Sequence, residues 1–188
     1  MAQLTSMMLE VNSVKRQHKR EPLTLDEANR LANACETHEE KLAVWTLLDT
    51  GLRVSELAEL NKSNINWQMH RLIFHGKGGP FGKRSKRRVV PMSTRVQALV
   101  EHHFAIHDSL GMSVRTIQRL IKGPANRAQI SRPVTPHVLR HTFSVMVVQK
   151  GISTRALQEI LGHDRLSTTE IYLNMSPEEA IREFVQKW

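Results

Sequence analysis

Between Thr135 and Tyr172 the chain reads TPHVLRHTFSVMVVQKGISTRALQEILGHDRLSTTEIY, and no other stretch narrows the fold as far. Its punctuation is that of three short helices in succession. Pro136 suits a first helical position, where its missing N–H costs nothing, and Gly151 ends that helix. Ser153 caps a second helix that stops before Gly162, and Ser167 opens a third that presents Tyr172. Phe143, Val147 and Val148 supply the buried side of the first helix, and Leu157, Ile160 and Leu161 that of the second. The polar residues left over are unusual for a packed core. His137 and Arg140, three residues apart, project from one helix face; His163 follows Leu161-Gly162 directly, and Tyr172 comes nine residues after it.

Arginine offers a planar fork of donors that matches phosphate oxygens. Histidine exchanges a proton near neutrality, and a tyrosine hydroxyl serves as a covalent nucleophile. Together they point to phosphoryl transfer through a phosphotyrosine. A zinc protease would show His-Glu-x-x-His, whereas Val138 follows His137. His137 and His141 have metal-like spacing, but Arg140 lies between them and no carboxylate or second cysteine is near, so a metal is not expected.

Composition at 40% hydrophobic and 24% charged residues is globular, and the 188 residues make one ordinary domain with small appendages. No apolar run approaches a membrane span and no signal-peptide pattern opens the chain, so a soluble cytoplasmic protein without a membrane partner is expected. The single cysteine, Cys35, fits a reducing compartment and reads as a small buried hydrophobe. The net charge of +9 is unevenly spread. No acid lies between Glu59 and Glu101, an interval holding Lys62, Arg71, Lys77, Lys83, Arg84, Lys86, Arg87, Arg88 and Arg95. A second acid-free interval, from Asp108 to Glu159, holds Arg115, Arg119, Lys122, Arg127, Arg132, Arg140, Lys150 and Arg155. Such segregation predicts a positive face that tracks a phosphate backbone, and so a double-stranded DNA partner.

The fold expected is mainly α with a small antiparallel β-sheet (α+β). Residues 1–21, with Lys15-Arg16-Gln17-His18-Lys19-Arg20, read as a basic arm or linker. Thr24 and Glu27 have capping-box spacing and open a helix to about Thr37; a second runs from about Glu39 to Thr50 and stops at Gly51. Strands are expected at Ile65 to Trp67, Leu72 to His75 and Arg88 to Val90, the last two joined by GKGGPFGKRSKRR. Further helices span about Ser93 to His107 and Ser113 to Ile121. Residues 22–176 form the main domain, and 177–188 a terminal helix whose apolar face packs in cis or on a neighbouring protomer.

The chain resembles the tyrosine recombinases, or phage integrases, and in particular their Xer-like branch. The matching residues are His137-x-x-Arg140-His141-Thr142-Phe143, Leu161-Gly162-His163 and Thr168-Thr169-Glu170-Ile171-Tyr172, with Thr50-Gly51-Leu52-Arg53-Val54-Ser55-Glu56-Leu57 and Gly76-Lys77-Gly78 upstream. Five separated matches in the right order cover the chain from about Thr24 to Asn174. The resemblance implies the tyrosine-recombinase catalytic-domain fold and DNA cutting and rejoining by Arg53, Lys77, His137, Arg140, His163 and Tyr172, without metal or nucleotide cofactor. It also implies a homo-oligomer, a tetramer, on DNA. Lys77 matches the family's catalytic lysine; its loop is longer than the compact Gly-Lys-Gly-x-x-x-Arg form, which leaves Lys83 as the other candidate. Glu56 reads either as an acid that orients catalytic groups, as the resemblance implies, or as a first-turn helix acid. Lys83, Arg84, Lys86, Arg87, Arg88, Arg115 and Arg119 are expected to contact DNA phosphates. The string SVRTIQRL, which is similar to a helix-turn-helix recognition helix, supports an alternative, a basic regulator that binds DNA without cutting it. In that case Arg53, Arg140 and Tyr172 would not converge.

Overall fold

The computed structural model describes residues 21–75 and 87–162. The basic arm, the loop that follows His75, and the chain from His163 onward, with the expected Tyr172 helix and terminal helix, lie outside the described residues. Helix α1 spans Leu25–Asn33 and α2 spans His38–Thr50. Each opens with a capping box: Thr24 Oγ1 accepts from the Glu27 amide while Glu27 accepts from Thr24 N, and Thr37 and Glu40 repeat the exchange. The first helix ends earlier than the expected Thr37, because Thr37 is needed as the cap of the second.

Helix α2 is the axis of the domain. Leu42, Ala43, Val44, Thr46, Leu47, Leu48 and Thr50 are all buried, so its apolar surface runs around the helix rather than along one stripe. A short helix α3 follows at Val54–Ala58, and then a three-stranded antiparallel sheet of β1 (Ile65–Asn66), β2 (Arg71–His75) and β3 (Arg87–Pro91). Leu72 pairs with Val90, and both face the core. Helix α4 spans Thr94–Ile106, α5 Val114–Arg127, α6 Pro136–Gln149 and α7 Thr154–Leu161. Around α2 pack α1, α3, α4, α5 and α6, while α7 rests on β3 and α6. The start of α4 is tied to α2 through Asp49, which accepts from Ser93 Oγ at 2.6 Å and from both Arg95 Nε and Nη2.

Helix α5 outruns its expected end at Ile121 and passes through Pro124. A proline disfavours helical geometry in the residue before it mainly by striking that residue's Cβ, and Gly123 has none. The extra turn buries Pro124 and Ala125, and Arg127 fastens it by donating to Ala34 O at 2.9 Å and to Glu40. Cys35 is buried as expected; burial first, then the Glu40 charge, pushes its thiol up to about 12. No described helix is long and apolar enough to cross a membrane.

Candidate active site

The site forms where the turn after α2 meets the end of α7. Gly51 takes φ +60°, a left-handed conformation suited to glycine, and a Cβ there would lie 2.3 Å from Phe143 Cδ1 and 3.0 Å from Leu161 Cδ2. The TGLR turn is therefore pressed onto α6 and α7. Leu52 is fully buried, which sends its neighbour Arg53 outward with its side chain 46% exposed. Glu56 is a first-turn helix acid, as one of its two expected readings has it, and it also holds the Arg53 side chain. Its Oε2 accepts from the Arg53 amide at 2.7 Å, in the first turn of α3, and its Oε1 accepts from Arg53 Nη1 at 3.1 Å.

Arg140 comes to the same place from α6, buried among the ends of two helices. Its Nη1 donates to Gly51 O and its Nη2 to Leu161 O at 2.8 Å, where terminal carbonyls gather negative partial charge. Arg53 Nη2 reaches the next carbonyl, Gly162 O, at 3.4 Å. The two arginines thus donate to consecutive carbonyls of one turn, the turn that leads into His163. His137 stands exposed one helical turn before Arg140, at the Thr135-capped start of α6. Beside it His141 is half-buried; burial first, then the His137 charge, draws its imidazole down to about 4, so it is neutral near pH 7.

Arg88 departs from the expected phosphate contact. It is only 7% exposed, because β3 turns it under α7, and its guanidinium is taken up by Glu56 Oε1 and by Ile160 O, the latter at 2.5 Å from Nε. Burial alone would raise the Glu56 carboxyl, but the charge and hydrogen bond of Arg88, with the Arg53 amide and charge, hold it below the ordinary carboxylate range. Burial in turn lowers the Arg88 guanidinium, with Glu56 opposing. The sequence signal for this pairing was faint: a Glu in GLRVSEL and one arginine among several in KRSKRR.

The other expected positions are spread out. Arg87 is exposed at the start of β3, opposite His75. Arg115 and Arg119 are exposed on α5, whose Ile117 and Ile121 face the core, and they do not join the arginine cluster. Lys77, Lys83, Arg84, Lys86, His163 and Tyr172 lie outside the described residues. Two more cations of the acid-free intervals serve the fold: Arg127 pairs with Glu40 and Glu36, and Arg132 with Glu27 at 2.6 Å. Among the described residues no group of three or more His, Cys, Asp or Glu side chains is placed to hold a metal ion.

Comparison with known proteins gives this geometry its setting. Residues 21–179 match the model of the phage integrase family. Tyrosine recombinase XerA of Pyrococcus horikoshii is 31% identical over 179 residues, covering 88% of this chain and 60% of that protein. Tyrosine recombinase XerD of Listeria innocua is 28% identical over 177 residues, covering 82% of this chain and 58% of the relative. This chain therefore spans about three fifths of the length of those relatives. Among solved structures, XerA recombinase superposes with a TM-score of 0.76 at 30% identity, covering 88% of this chain and 63% of that one. The catalytic domain of bacteriophage HP1 integrase gives 0.64 at 26% identity, covering 86% of this chain and 94% of that one. The fold is that of tyrosine-recombinase catalytic domains, and the chain belongs to the phage integrase family.

Proposed function

We propose that this chain cuts and rejoins DNA strands in site-specific recombination through a covalent 3′-phosphotyrosyl intermediate. The observation that carries this reading is the pair Arg53 and Arg140, donating to the consecutive carbonyls of Gly162 and Leu161. Membership of a family whose matched relatives are named tyrosine recombinases supports it as well.

In the proposed reaction the Tyr172 hydroxyl oxygen attacks a scissile phosphorus, forming the P–O–tyrosyl bond as the bond to the 5′ oxygen breaks. His137 accepts the phenolic proton, and Lys77 gives a proton to the departing 5′ oxygen. Arg53 and Arg140, with a hydrogen bond from His163, hold the non-bridging oxygens whose charge grows in the transition state. A 5′ hydroxyl of a second strand reverses the step. One phosphodiester is exchanged for another through a protein ester, so the scheme needs no redox or nucleotide cofactor. Double-stranded DNA is the proposed substrate, and a homo-tetramer on it the proposed assembly. An integrase of the same fold, that of transposon Tn1549, has been solved in complex with transposon right end DNA.

The rival reading, a DNA-binding regulator that does not cut, is not favoured by two arginines gathered on one turn. Denaturant-resistant attachment of the chain to supercoiled DNA from its source genome separates the two. Adducts are expected with the native chain and none with Tyr172→Phe, which keeps DNA binding. Strand cleavage retained by Tyr172→Phe would remove the tyrosine from its role.

A further inference from the structure

We infer that Arg88 is a positioning residue for strand cleavage, a buried clamp that sets the geometry of Arg53 through Glu56 and anchors the turn leading into His163. The inference rests on the recombinase reading and adds a residue to it. Four observations carry it. Arg88 Nη1 and Arg53 Nη1 donate to the same oxygen, Glu56 Oε1, so the carboxylate is held between two guanidinium groups from different elements. Arg88 Nε donates to Ile160 O, tying β3 to the last turn of α7. The Arg88 stem lies against Gly162, where a Cβ would stand 2.8 Å from Arg88 Cδ, so the Leu161-Gly162 turn is shaped around this side chain. Finally, Arg88 Nη2 is buried with no hydrogen-bond partner among the described residues.

That last feature separates positioning from packing. A cation taken out of water with a donor unsatisfied is a poor way to join a strand to a helix, and apolar residues of similar volume commonly replace a whole buried ion pair with no loss of stability, although removing one partner alone leaves the other's charge uncompensated. Phe74 lies beneath the guanidinium, its ring centroid 6.0 Å from Cζ, so a methionine at 88 would find an apolar seat. What a methionine cannot do is donate to Glu56 Oε1 alongside Arg53. The carboxylate would then follow Arg53, whose side chain is half-exposed, instead of fixing it.

The test compares native chain, Arg88→Met and Arg88→Lys on supercoiled source DNA, with single-turnover covalent adduct formation, DNA affinity and melting temperature measured on each. Arg88→Met, which leaves the Glu56 charge to Arg53 alone, is expected to melt earlier than the native chain, while at a temperature where it stays folded it keeps native DNA affinity and its adduct formation per folded molecule slows about a hundredfold, the scale of a small misplacement of reacting groups. Arg88→Lys, which keeps a charge beside Glu56 but cannot also hold Ile160 O, loses less, and carries the test if the methionine variant does not fold. In a Glu56→Gln background, Arg88→Met should add little further loss. A native rate in Arg88→Met, or a loss matched by equal losses of affinity or folded fraction, overturns the inference alone. A native chain that forms no adduct overturns the recombinase reading, and the inference with it.

Discussion

At the corner where α1, α2 and α5 meet, two arginines face four carboxylates: Arg127 pairs with Glu36 and Glu40, and Arg132 with Glu21 and Glu27. At the other end of the same helix α2, Arg53 and Arg88 share one carboxylate among the described residues, Glu56. Cations outnumbered by acids are struts, whose field is cancelled where it arises. Cations that outnumber their acid, and otherwise donate to uncharged carbonyls, keep positive charge for an anion that arrives from outside.

The largest effect is expected at the turn after α2, where the site is hinged. Gly51→Ala forces an alanine into a left-handed conformation and its Cβ into the Phe143 ring. Denaturant unfolding is expected to show a loss of about 3 kcal/mol, combining backbone strain with overpacking. Arg132→Met strikes the corner instead. It removes donors from Glu21 O, Pro22 O and Glu27 and should destabilise by about 2 kcal/mol, with cleavage unchanged where the protein stays folded.

The two ends of α2 differ too in how far their contacts are local in sequence. Thr24 with Glu27, Gly51 and Pro136 act through neighbours a few residues away, so the first capping box, the end of α2 and the start of α6 are legible directly. Arg53 and Arg140 are legible as members of short motifs. Arg127 and Arg132 are not, because Glu40 stands 87 residues from the one and Glu27 105 residues from the other. An interval free of acids along the chain is not free of them in space. Arg88 escaped for a related reason: in KRSKRR every cation looks exposed, and only the packing of α7 on β3 selects one for burial. The length of α5 was hidden by Pro124, whose helix-breaking effect Gly123 softens.

A smaller effect probes the site side by pH. The unfolded chain takes up a proton on His141 near pH 6.5, which the folded chain refuses until about 4. Stability should therefore fall as the pH drops between those values and level off below. His141→Leu should flatten this part of the decline, read as the difference in melting temperature between pH 7 and pH 5. An unchanged difference would show that the half-buried imidazole is already charged at pH 5.

One crossed measurement asks whether the arginine at the poorly neutralised end serves the reaction and the one at the well-neutralised corner serves the fold. Single-turnover adduct formation and melting temperature are recorded for Arg53→Met and Arg132→Met on the same DNA. Arg53→Met should change stability by less than about 0.5 kcal/mol, as for a half-exposed ion pair, while adduct formation falls about a hundredfold, the loss of one preorganised donor to a developing oxyanion. Arg132→Met should do the reverse, melting earlier and cleaving at the native rate while folded. Native cleavage by Arg53→Met, or rates that follow melting temperature in both variants, would contradict the account.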